Sequence, residues 1–259
     1  QGDWEETAYR WLFRCFGYHT NRLPMEELGQ LLPYTLLKRH REQLQHLEAM
    51  LLGQAGLLPE DSDDSYVLQL KKDHDFYQKK YGWPKGLTRQ HWTFLGARPA
   101  NFPTLRLAQL ATVLVQAPHL FSTILEESGD LTTFRKIFQS PPSPYWRQHY
   151  TFGKPSSKVT SNGLSEQSVQ LLVINFVLPI WFAYGEFHDQ EEWKERCFSL
   201  LQSMTAEQNY VLRKFVRHAW IPETAFDSQG MLELYRRYCS AQKCLSCKIG
   251  QSLLRSPSK

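Results

Sequence analysis

The chain has 259 residues, 42% of them hydrophobic and 22% charged. That composition excludes a disordered chain and allows one large core or two small ones. The formal charge of +4 is too small to argue for nucleic acid by itself, so the placement of charge carries more information than its sum.

In chain order, Asp3 and Glu6 have the spacing of a capping box, and Ala8, Trp11, Leu12, Cys15 and Phe16 predict one apolar helix face that stops at Gly17. A short helix follows Pro24, and a longer one runs from Pro33 to Gly53. The acidic stretch 58–65 holds Asp61, Asp63 and Asp64. These suit either a cation or, as the dipole favours, the start of a helix that stops near Gly82. Residues 82–103 are rich in Gly and Pro and predict an ordered connection anchored by Trp83 and Trp92. Helices are expected at 104–116, 121–127, 131–138 and 145–150, then at 165–184, 190–203, 206–219 and 226–238. The Ser- and Lys-rich segment 154–163 predicts a linker between helical halves 1–153 and 164–259, packed together as one unit. Without sustained strand alternation, the expectation is all-α: a multi-helix globular bundle without a significant sheet. Leu12, Leu47, Leu107, Leu110, Leu172, Phe176 and Leu212 are its expected core residues.

Three constellations could carry chemistry. Cys239, Cys244 and Cys247, spaced C-x4-C-x2-C, are candidate ligands for zinc or an iron–sulfur cluster, with His218 or Cys197 as the fourth donor. The bland alternative is three reduced thiols packed as small hydrophobes. Arg98, Asn101, Arg106 and Gln109 surround the start of the 104–116 helix, where unpaired backbone N–H groups and two cations could hold a phosphate or carboxylate. That helix is apolar around most of its girth, so Arg106 is expected to be buried, with Glu48 or Glu207 as its internal partner if the cluster is structural. Within 171–184, Pro179 frees the carbonyl of residue 175, and a buried Asn175 side chain is expected to satisfy loose groups at the kink.

From Arg236 onward the chain carries Arg236, Arg237, Lys243, Lys248, Arg255 and Lys259 and no carboxylate side chain. This end is either a solvated tail or a nucleic-acid-facing surface, for which Arg236, Arg237, Lys243 and Lys248 are the candidates. An odd count of five cysteines without a secretory signal fits reduced thiols and a cytoplasmic location. The apolar run 171–184 is too short and too interrupted to predict a membrane span, so no membrane partner is expected.

The strings LEAMLLGQAGLL, GARPANFPTLRLAQLA, VINFVLPIWFAYG and YCSAQKCLSCKIG resemble the bacterial domain-of-unknown-function family 2851. Members of that family are longer, and the resemblance implies an amino-terminal domain absent from this chain, whose acidic and Glu-x-His strings look like a restriction-endonuclease-type core. It supplies no catalytic residues. The functional expectation is therefore a non-catalytic helical module that supports nucleic-acid processing by that domain. The alternatives are an enzyme binding a small anion near Arg98 and Arg106, or a protein-interaction scaffold.

Overall fold

The structure is a computed structural model that describes residues 3–126, 130–159 and 161–255. Glu127, the expected end of a short helix, Thr160 of the expected linker and Lys259 of the basic tail lie outside the described residues. Asp3 caps α1 (Trp4–Phe16), its carboxylate accepting from the backbone N–H groups of Glu5 and Glu6. Glu6 does not complete a capping box: it pairs with Arg10 and accepts from the Tyr34 N–H. Next come α2 (Arg22–Leu31), α3 (Tyr34–Lys38), α4 (Leu44–Gln54) and α5 (Ser65–Tyr81). Asp64 caps α5, and Gly82, in the left-handed region at φ +60°, ends it. Then follow α6 (Pro103–Gln116), α7 (Leu120–Glu126), α8 (Leu131–Phe138), α9 (Glu166–Leu172) and α10 (Leu178–His188). The chain continues through α11 (Glu191–Ser203), α12 (Tyr210–Val216), α13 (Ala225–Leu234) and α14 (Lys248–Arg255). The described residues contain two isolated β-bridges and no sheet, so the fold is all-α.

The chain divides into two compact units, Gln1–Trp181 and Phe182–Lys259, and segment 154–163 is carried within the first. In the first unit α6 is buried from Pro103 to Leu114 and packs against α4, α1 and α8. Every residue expected in the core is at most 2% exposed. The buried stripe of α1 is Ala8, Tyr9, Leu12, Phe13 and Phe16, rotated from the expected face, and Trp11 is 39% exposed. The rotation has a cause downstream. Val173–Val177 forms a π-turn between α9 and α10, and Pro179 has no N–H to offer residue 175. The Trp11 indole N–H donates to the Asn175 carbonyl in its place, at 2.8 Å. Asn175 itself is exposed rather than buried, and its amide donates to the Leu171 carbonyl at 2.8 Å. Because the π-turn keeps the chain helical, Glu166–His188 is continuous, long and apolar enough by composition to cross a membrane, and 56% of its most apolar window is buried inside the protein. Such burial is the pattern of a core helix.

In the second unit α13 packs against α11 and α12. Thr224 and Asp227 form a reciprocal capping box at the start of α13, which ends in a second π-turn, Tyr235–Cys239. In the first unit, the expected helix at 145–150 is only a 3-10 turn, Pro144–Arg147: the Ser156 N–H donates to the Gln148 carbonyl and His149 bridges to Pro155, which draws the chain out of helical geometry after one turn.

Candidate functional site

Pro103 occupies the first turn of α6, and Thr104 does not cap it: the hydroxyl donates to the Tyr150 carbonyl at 2.6 Å. Arg106, one turn in, is 4% exposed. Its guanidinium donates to Gln109 Oε1 at 2.9 Å and to Asn101 Oδ1, and lies over the Tyr18 ring at 4.5 Å. Nε has no hydrogen-bonding partner among the described residues. Burial pulls the Arg106 pKa below its ordinary value. The expected carboxylate partner is not there: Glu48 accepts from Tyr66, and Glu207, in the second unit, accepts from Gln229. Arg98 is exposed and makes no side-chain hydrogen bond or ion pair among the described residues, so Asn101, Arg106 and Gln109 form the cluster without it.

The cluster continues inward. The Gln109 amide donates to the Asn162 carbonyl at 2.6 Å, and the Asn162 amide donates to the Trp146 carbonyl. The Trp146 indole donates to the Tyr66 hydroxyl at 3.1 Å, which donates to Glu48 Oε2 at 2.7 Å. One chain of neutral groups thus joins a buried cation to a fully buried carboxyl. Burial raises the Glu48 pKa to about 7, against the lowering influence of Tyr66, Ser143 and Trp146. Glu48 Oε1 has no partner in hydrogen-bonding geometry among the described residues.

A polar cleft of about 750 Å³ in the first unit has no counterpart in the sequence analysis. Glycines let two backbones touch beside it. A Cβ on Gly86 would stand 2.1 Å from the Gln54 carbonyl oxygen, and one on Gly56, at φ +64°, would stand 2.2 Å from that of Leu87. The Leu87 N–H donates to Gln54 at 2.8 Å and fastens the contact. Lys71, Lys85 and Arg89 bring positive charge to the wall, with Glu60 and Asp75 as the opposing carboxylates. The Lys71 ammonium donates to the Glu60 carbonyl, and the Arg89 guanidinium sits 3.4 Å above the Phe94 ring. His74, on the same wall, is held below its ordinary pKa by burial. These side chains come from separate stretches of chain, which is why no local motif announces them.

In the second unit the three cysteines of the C-x4-C-x2-C string and His218 line one cavity of about 510 Å³, with Phe215, Trp220 and Tyr238. Cys239 and Cys244 are exposed, Cys247 is buried, and all three are free thiols. Burial and the neighbouring Cys247 and Cys244 raise the Cys239 pKa. Cys197 is buried in α11 and does not line the cavity, which leaves His218 as the fourth donor facing it. Among the described residues no three His, Cys, Asp or Glu side chains are already grouped to hold a metal ion. Arg236, Arg237, Lys243 and Lys248 are exposed. Arg237 pairs with Glu233, whereas Lys243 and Lys248 make no ion pair among the described residues.

A family model described as "Protein of unknown function (DUF2851)" matches residues 1–210. The chain belongs to that family. The match takes in Arg106, Glu48 and the cationic cleft and stops before the cysteine string. No curated protein and no solved structure matches the chain.

Proposed function

We propose that this DUF2851 chain is a non-catalytic helical module that grips the phosphate backbone of nucleic acid and supports its processing by another domain or partner. The observation that carries this reading is the cleft with Lys71, Lys85 and Arg89 on its wall. Three cations against two carboxylates leave an excess of positive charge, and phosphate contacts release counterions. Arg236, Arg237, Lys243 and Lys248 form a second exposed cationic set, on the second unit. The Arg106 cluster is read as structural: both terminal nitrogens of the guanidinium are engaged, by Gln109 and Asn101, and its burial leaves no open face for a ligand.

The test is fluorescence anisotropy with a labelled single-stranded oligonucleotide over a salt series. Binding should weaken steeply with salt. Changing Lys71, Lys85 and Arg89 together to Gln should flatten the log–log slope by about 2, at roughly 0.7 per lost contact. Binding that is absent at low salt, or that keeps its slope in the triple variant, overturns the cleft assignment. A slope that falls only when Arg236, Arg237, Lys243 and Lys248 are neutralised moves the contact to the second unit. A second reading, a small phosphorylated metabolite, is favoured by the cleft's volume, which lies in the range of small-molecule sites. A mononucleotide that binds as tightly as the oligonucleotide would select it.

A further inference from the structure

We propose that the cavity lined by His218, Cys239, Cys244 and Cys247 is a closing site for one soft divalent metal ion of the zinc class, bound by three thiolates and one imidazole.

The backbone of the site is already shaped for this. Cys244–Ser246 is a single 3-10 turn, and the Cys247 N–H donates to the Cys244 carbonyl at 3.2 Å, so the two cysteines flank a tight knuckle. The chain then folds back on the knuckle: a Cβ at Gly250 would stand 2.3 Å from the Cys244 carbonyl oxygen, so only glycine fits this approach. Cys239 lines the same cavity from the end of the π-turn Tyr235–Cys239, which shifts the register in which α13 ends. His218 comes from the turn after α12. Four donors from three separate elements therefore line one cavity, together with Phe215 and Trp220, whose rings stack on each other.

A second observation points the same way. Helix α14 packs chiefly on the Cys244–Ser246 turn, and that turn touches the end of the π-turn. Leu245 and Leu254 are 76% and 67% exposed, so these two leucines contribute little apolar core at this end of the chain. Small elements with little core are held by a disulfide, a metal or association with another chain, and three unpaired thiols lining one cavity favour the metal. The donors are not yet in ligand geometry. A cysteine has a single side-chain torsion, so rotation about it moves the sulfur while the backbone turn that carries it is kept. Three thiols with one imidazole form a four-donor set of the zinc type, one sulfur short of what an iron–sulfur cluster takes.

The experiment uses the full chain, purified under reducing conditions without chelator, with elemental analysis and then titration of the stripped protein with cobalt(II) followed by visible absorption. The expected result is stoichiometric zinc and an intense tetrahedral thiolate–cobalt spectrum. Both should be lost in Cys244→Ser and Cys247→Ser, and both retained in Cys197→Ser. His218→Ala should leave the sulfur-to-cobalt bands but change the ligand-field pattern. A stripped chain that takes up no cobalt while its helical circular dichroism is intact overturns the proposal. So does uptake that survives Cys244→Ser, or iron with sulfide at these residues. None of these readouts depends on oligonucleotide binding.

Discussion

Arg106 and Glu48 in the first unit are almost inaccessible, and each is reached only through other protein groups. In the second unit Cys239, Cys244, His218 and the cations of the tail stand at the surface or on a cavity wall. The first unit has enough apolar mass to enclose whole aromatic side chains, among them Trp146, Trp181, Phe134 and Phe176. The second buries Cys197, Leu200, Met204 and Leu212 but leaves Phe187, Tyr210, Ile221 and Leu245 largely exposed. A charge enclosed by the first unit must be satisfied internally, which turns it into architecture. Exposed groups in the second unit, such as Cys239, Cys244, Lys243 and Lys248, face no such demand.

The contrast breaks most easily through packing. Phe176→Ala should cost about 3–5 kcal/mol, the usual range for emptying a buried aromatic site, and Leu245→Ala should stay within about 0.5 kcal/mol. Urea unfolding of the two variants checks this, and comparable losses would erase the distinction.

A smaller effect sharpens it. The Glu48 carboxyl has a folded pKa of about 7 against an ordinary value of 4.5. A raised pKa means that the folded state holds the proton more tightly. The contribution is therefore fully present below about pH 4.5 and is lost as pH rises through 7. The gap corresponds to about 3 kcal/mol. Denaturant titrations across that window should show the decline in the parent chain and a much flatter profile in Glu48→Gln. An equal slope in both would remove Glu48 from the account.

The smallest expected change is at the other end of the same network. Arg106→Leu leaves the buried Gln109 carbonyl oxygen without its donor and should cost about 2 kcal/mol. Oligonucleotide affinity should be unchanged. Unaltered stability with lost affinity would return Arg106 to a binding role.

The sequence made the helices readable because leucine and aromatic spacing repeats with the helical period, and the burial of α6 followed from apolar residues on most of its circumference. It also showed Arg106 as a polar group on a buried helix. The choice of partner was not readable. A carboxylate is the usual counterpart of a buried guanidinium, yet here amides and a tyrosine face do the work, one of them routed through Asn162 in a Ser- and Lys-rich segment with no helical signal. The cationic cleft was hidden for a related reason: its walls meet through glycine contacts between distant stretches, and such contacts leave no periodic trace.

The indole of Trp11 stands in for the amide that Pro179 cannot supply. Two segments separated by 164 positions in sequence are thereby made to open together. If α1 peels away, the Asn175 carbonyl loses its donor, and the π-turn in the long central helix loses its outer support. Amide hydrogen exchange in α1 and around residues 173–177 should therefore report one shared opening event, so that the start of the chain acts as a latch on its most apolar helix.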